Sequence, residues 1–94
     1  MVYNYERREI YIPGKRFKKQ RHVTLTQKEN IVFSLLWIKK NGSRNFEELS
    51  KVLYGTIEPS SYDKNNIRRI VHRLKQKGIE IESMYGYGYK LGGN

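Results

Sequence analysis

Seven side chains between residues 65 and 76 carry groups that can grip a polyanion or read a base edge: Asn65, Arg68, Arg69, His72, Arg73, Lys75 and Gln76. An arginine can donate to both major-groove acceptors of a guanine, and a glutamine can make the same two-point contact with an adenine. The remaining cations can neutralise phosphates, and His72 suits a base or phosphate contact better than acid–base catalysis. From 65 to 77 there are five cations and no carboxylate. A merely solvated helix face mixes both signs, so this stretch points to nucleic acid rather than to a charge layer that only keeps the chain soluble. Two further groups stand beside it. Ser83, Tyr85, Tyr87 and Lys90 surround a glycine-rich turn. Lys15, Arg16, Lys18, Lys19 and Arg21 form a charge run around Phe17, which fits either a solvated hairpin or an arm on phosphates.

Such groups need a scaffold. Ile67, Val71 and Leu74, with Ile70 beside them, recur at helical spacing and form one apolar stripe. Arg69 and His72 then face squarely away from the stripe. Arg73 nears its edge, so it is open to a base or a phosphate. Asp63 is the expected cap of this third helix, Gly78 its end, and Lys75 and Lys77 suit its negative C-terminus. The segment 79–91 alternates as a hairpin. Gly86 is expected at positive φ at the tip and Gly88 at a close backbone approach.

Upstream, Ile10 and Ile12, then Val23 and Leu25, alternate as strands, with the turn signal Pro13-Gly14 between them. Thr26-Gln27-Lys28-Glu29 reads as a capping box. The first helix is expected to reach about Lys40 and stop at Asn41-Gly42. Ile31, Leu35 and Ile38 form one of its faces, with Val32 and Leu36 alongside. Phe33 and Trp37 point the other way and are expected to cover the N-terminal sheet. A helix apolar on two sides is buried on two sides, so no large apolar patch is expected to remain. Asn45 and Glu48 repeat the capping logic for a second helix, with Phe46, Leu49 and Leu53 inside and Gly55 at its end. Thr56–Tyr62 is expected as a loop, and Gly92-Gly93-Asn94 as a frayed end.

Ninety-four residues make one domain, and the formal net charge is +10. The charge is concentrated. Residues 1–23 hold seven cations and two acids, 24–64 hold six and five, and 78–94 hold one and two. There is no cysteine, which removes disulfides, thiolate metal sites and cysteine nucleophiles. No run is apolar enough to span a membrane or serve as a signal peptide. His22 and His72 are far apart, Gly86-Tyr87-Gly88 leads into no helix, and no nucleophile–base pair suggests itself. Neither an enzyme nor a cofactor is expected, and the compartment fits the cytoplasm.

A basic helix followed directly by a glycine-tipped hairpin is the arrangement of winged-helix proteins on DNA. The chain resembles the OmpR/PhoB-type winged-helix effector domain of bacterial response regulators. The resemblance rests on Glu6-Arg7-Arg8-Glu9-Ile10, Leu25-Thr26-Gln27-Lys28-Glu29, Phe46-Glu47-Glu48-Leu49 and Leu53-Tyr54-Gly55. It continues through Ile67, Val71, Arg73-Leu74-Lys75-Gln76-Lys77 and Gly86-Tyr87-Gly88-Tyr89-Lys90-Leu91. It implies an α+β fold: a four-stranded N-terminal antiparallel sheet within 1–25, a three-helix core within 26–78 and a hairpin wing within 79–91. It also implies that the third helix enters the major groove while the wing meets the minor groove or its phosphates. The 56–62 loop would face RNA polymerase, and a monomer in solution would pair on tandem sites in DNA. A transcriptional regulator specific for double-stranded DNA follows, with an RNA-binding module or a protein–protein adaptor as rivals. Some positions depart from the family. Asn30 and Ser43-Arg44 stand where apolar residues are usual, Arg68 and Arg69 where acidic and apolar ones are, and Tyr85 where Arg is. Within these residues there is no room for a receiver domain.

Overall fold

The computed structural model describes residues 1–14, 19–39 and 42–92. Strand β1 is Val2–Asn4, β2 is Glu9–Ile12 and β3 is Arg21–Thr24, and they form one antiparallel sheet in that order. Helix α1 is Gln27–Ile38. The short strand β4, Arg44–Asn45, leads into α2, Phe46–Tyr54, which is followed by α3, Ser61–Gln76. Strands β5, Ile81–Met84, and β6, Gly88–Leu91, close the chain, and the second sheet has the order β4-β6-β5. The result is α+β: three helices between an N-terminal antiparallel sheet and a C-terminal hairpin.

Among the described residues the N-terminal sheet has three strands, not four. β2 stops at Pro13, which has no N–H to extend the ladder. Pairing of Ile10 with Val23 sets both side chains inward. The segment Glu6-Arg7-Arg8 is the turn between β1 and β2, closed by the Arg8 N–H donating to Tyr5 O at 3.2 Å.

All three helices start with reciprocal capping boxes. At α1 the Thr26 N–H donates to Glu29 Oε1 (2.9 Å) and the Glu29 N–H to Thr26 Oγ1 (3.3 Å). At α2 the Glu48 N–H donates to Asn45 Oδ1 at 2.8 Å. At α3 the cap is Ser60 and not Asp63. Asp63 is the box's third residue, accepting the Ser60 N–H at 3.1 Å. Helix α3 therefore begins earlier than expected, and Ser61 and Tyr62 belong to its first turn rather than to the loop. Helix α1 ends at Ile38, with Lys39 as its cap. Lys40 and Asn41, expected at its end, lie outside the described residues. So do Gly93 and Asn94, whereas Gly92 is tied down by its N–H donating to Glu80 O at 2.9 Å.

The core joins Ile10, Val23 and Leu25 to Val32, Phe33 and Leu36 of α1, Leu49 of α2, and Ile67, Ile70, Val71 and Leu74 of α3. Tyr3 meets Phe33 edge to face at 4.7 Å between ring centroids and Trp37 at 5.8 Å. Phe33 and Trp37 thus cover the N-terminal sheet as expected. The other expected face of α1 is not buried: Ile31 and Leu35 are half-buried and Ile38 is 74% exposed. The core takes the Val32–Leu36 line instead, because Phe33 and the sheet claim the adjoining side.

Two departures from the family pattern are polar ties. Asn30 is buried, accepts the Tyr3 hydroxyl, and donates through Nδ2 to Tyr5 O at 3.1 Å. Burial, with Tyr5 close by, pushes the Tyr3 hydroxyl up to about 12. Arg44 donates through Nε to Leu35 O (3.1 Å) and through Nη1 to Glu48 Oε2 (2.9 Å), joining the end of α1 to α2.

Candidate nucleic-acid interface

Helix α3 buries Ile67, Ile70, Val71 and Leu74 and leaves Asn65, Arg68, Arg69, His72, Arg73, Lys75 and Gln76 exposed. At 3.6 residues per turn, Asn65, Arg69, His72 and Gln76 run along the middle of the outer face. Arg73 stands on one shoulder, Arg68 and Lys75 on the other. The second shoulder faces the hairpin: Lys75 Nζ donates to Ser83 Oγ at 3.2 Å. Arg68 lies 5.2 Å from the Phe46 ring centroid and donates through Nη1 to Asn65 Oδ1 at 2.8 Å. Those partners hold a guanidinium at the mouth of an open cleft of about 390 Å³, lined by Phe46, Met84 and Tyr89 below and Ser83 and Tyr85 beside. Burial raises the Tyr89 hydroxyl above its ordinary value.

The hairpin tip is built as its glycines suggested. Gly86 has φ +69. A Cβ on Gly88 would collide with Arg44 O and come within 2.7 Å of Asn45 Cα, because β6 runs between β4 and β5. The tip ring of Tyr85 is fully exposed and Tyr87 is 46% exposed. Ser83 is exposed, while Lys90 is half-buried and paired with its cross-strand neighbour Glu82 at 3.6 Å. Lys90 therefore brings less free charge to this surface than its residue type implies.

The far end of α3 is anchored, not free. Lys77 Nζ donates to Glu29 Oε1 (2.6 Å) and to Thr24 O (2.8 Å). Burial alone would raise the Glu29 carboxyl, but the Lys77 and Thr26 bonds outweigh it and hold the carboxyl below the usual glutamate range. Of the five cations from 65 to 77, Lys77 is thus structural. Arg21 reaches the same end, donating through Nη2 to Gly78 O at 3.5 Å, and with Lys19 it lines an open hollow against Gly78 and Glu80. Both are exposed and continue the basic surface past α3. Lys15, Arg16 and Lys18 lie outside the described residues.

Sequence reasoning overlooked Ser61 and Tyr62. Both are exposed on the first turn of α3, Tyr62 at 72%, and Tyr62 falls in line with Asn65 and Arg69. The signal was present as Ser60-x-x-Asp63. The aromatic floor of the cleft was also missed, since Phe46 and Tyr89 meet edge to face only through tertiary packing. Among the described residues no group of His, Cys, Asp and Glu could hold a metal ion, and no helix is long and apolar enough to cross a membrane.

No protein-family model and no curated protein matches the sequence. A solved structure does match. The crystal structure of the response regulator AdeR DNA binding domain in complex with an intercistronic region aligns with a TM-score of 0.69. The alignment covers 98% of this chain and 93% of that chain, at 17% sequence identity. A cationic helix, an exposed hairpin tip beside it and an antiparallel sheet behind them are therefore set out here in a winged-helix fold similar to that of the AdeR domain.

Proposed function

We propose that this chain is a sequence-specific double-stranded DNA-binding regulator of transcription, with α3 in the major groove and the β5–β6 wing on the adjacent minor groove or backbone. The observation that carries the reading is one continuous surface. It joins the acid-free outer face of α3, the solvent-exposed Tyr85 tip and the Arg68–Lys75 shoulder between them. A major groove admits an element of helix width. The likeness to a domain crystallised with an intercistronic region supports DNA as the ligand. In this reading Asn65, Arg69, His72 and Gln76 face bases. Arg73 takes a base or a phosphate, and Lys19 and Arg21 extend the backbone contacts. The connection from Gly55 to Ser60, with Ile57 63% exposed, lies where the family resemblance puts RNA polymerase. A DNA regulator of this kind works in the cytoplasm.

Selection of bound sites from a random duplex pool tests the reading, followed by a salt titration on the selected site. A defined motif is expected. With ~5–6 phosphates engaged, log K should fall with log salt at a slope of about −5. The quadruple variant Arg69→Ala/His72→Ala/Arg73→Ala/Gln76→Ala should fold and lose the selected site. Equal binding by that variant, or a preference for A-form RNA over the duplex, refutes the assignment.

A further inference from the structure

Helix α1 carries more apolar surface than the described residues cover. Val32, Phe33 and Leu36 are buried, yet Ile31, Leu35 and Ile38 continue the apolar character around the helix. A helix apolar on nearly every side is the sequence of one enclosed on nearly every side. Among the described residues one side is open. Tyr5, Ile31, Leu35, Trp37, Ile38 and Val52 line an open groove of about 630 Å³ between α1, α2 and the β1–β2 turn. Ile38 is 74% exposed, Tyr5 55% and Val52 53%. Single exposed apolar residues are ordinary, but a contiguous set lining one groove marks an interaction site.

The dimensions and charges narrow the occupant. From Ile31 to Ile38 the groove follows about 10 Å of α1, two helical turns. That length matches three anchors at i, i+3 or i+4, and i+7 on one docked amphipathic helix. Cations stand at both ends of the α1 stripe: Lys28 one turn before Ile31, and Lys39 directly after Ile38. Glu48, one turn before Val52 on α2, is already matched by Arg44 at 2.9 Å and Lys39 at 3.9 Å, and hydrogen bonding from Arg44 holds its carboxyl below the ordinary range. With Lys28, Lys39 and Arg44 set against Glu48, the α1–α2 rim is net positive, on a chain of net charge +10. An occupant with carboxylates flanking its apolar stripe is attracted, and a basic one is repelled. The core-facing side of α1 lies between this groove and α3, so the groove faces away from the cationic surface.

We propose that this groove is a docking site for an acidic amphipathic helix of a partner protein, open while the α3 face is occupied. The chain's single tryptophan, Trp37, lines the groove and reports on it directly. The probe is a short synthetic helical peptide with leucines at i, i+4 and i+7 and glutamates on both flanks. Titrated into the intact chain, it should shift Trp37 emission saturably. Ile38→Glu/Val52→Glu should weaken it at least about tenfold, as expected for loss of buried anchors. The thermal midpoint should hold, because both side chains are exposed. Addition of duplex DNA should leave the peptide affinity unchanged. A lysine-flanked peptide binding equally well overturns the proposal, as does no binding by either peptide. Self-association of the chain that Ile38→Glu abolishes overturns it too, since the occupant would then be a second copy.

Discussion

Arg68 shows how a side chain's role depends on what holds it. The guanidinium stacks over Phe46 and bonds Asn65, so it is ordered before any ligand arrives, and the cation–π contact adds to that order. If α3 occupies a major groove and the wing its neighbour, one DNA strand must cross the cleft between them. Arg68 then meets a phosphate and not a base. Arg68→Ala should weaken all duplexes alike, flatten the salt slope by about one and leave base preference intact. Arg68→Lys should recover part of the affinity, keeping the charge but losing the planar stack. Binding-site selection with the alanine variant checks this, and relaxed preference at one base position would instead make Arg68 a reader. Sequence periodicity put Arg68 among the exposed cations but could not show which shoulder it occupies. That depended on Phe46, twenty-two residues away in the chain. The same holds for Lys77, an ordinary C-terminal cation by its position, whose partner Glu29 comes from another helix.

At the scale of elements, the wing and the α3 anchor invite opposite kinds of perturbation. Gly88→Ala forces a methyl group into Arg44 O and Asn45 Cα. Backbone cannot rotate aside as a side chain can, so the cost should be about 3 kcal/mol. Gly86→Ala meets nothing within 4 Å and pays only for φ +69, about 1 kcal/mol. Urea denaturation of the two variants should rank them in that order. Glu29→Gln removes a buried charge-assisted bond and should cost about 2 kcal/mol at neutral pH. Hydrogen bonds from Lys77 and Thr26 hold Glu29's folded carboxyl below the ordinary glutamate value, so its contribution is complete above that ordinary value and fades as pH falls through the folded one. The stability gap between wild type and Glu29→Gln should therefore narrow in acid, and a gap independent of pH would contradict the assignment. The capping boxes at Thr26 and Asn45 were legible because cap and third residue are local. At α3 the same logic was applied to Asp63, three residues too late, since Asp63 is itself a good cap by type and Ser60 follows a proline-containing loop. Ile38 misled for a different reason. Periodicity reports which residues share a face, not whether the chain has anything left to cover it.

For the molecule as a whole, the order of elements was legible from spacing alone: alternating strands, three capped helices, a glycine-tipped hairpin. The same architecture is shared with a solved domain at 17% identity, so the fold does not depend on most of the individual residues. The fourth N-terminal strand was an expectation from resemblance, and among the described residues β2 pairing ends at Ile12, just before Pro13. Association follows from charge. The chain is elongated, 44 × 26 × 20 Å, and carries +10, so two free copies repel each other over roughly a Debye length, about 8–10 Å at moderate salt. Its α1 groove has a positive rim, which opposes self-pairing there. In the proposed function DNA would change the balance, because phosphates would neutralise the basic faces and a tandem site would hold two copies at a fixed spacing. A monomer is therefore expected in sedimentation without DNA, one copy on a duplex with a single half-site, and two on a direct repeat. Lengthening the repeat by about half a helical turn, ~5 base pairs, should leave two copies bound but remove any cooperativity between them, since they would then sit on opposite sides of the duplex. A tight dimer without DNA would contradict this, as would cooperativity that survives the half-turn insertion.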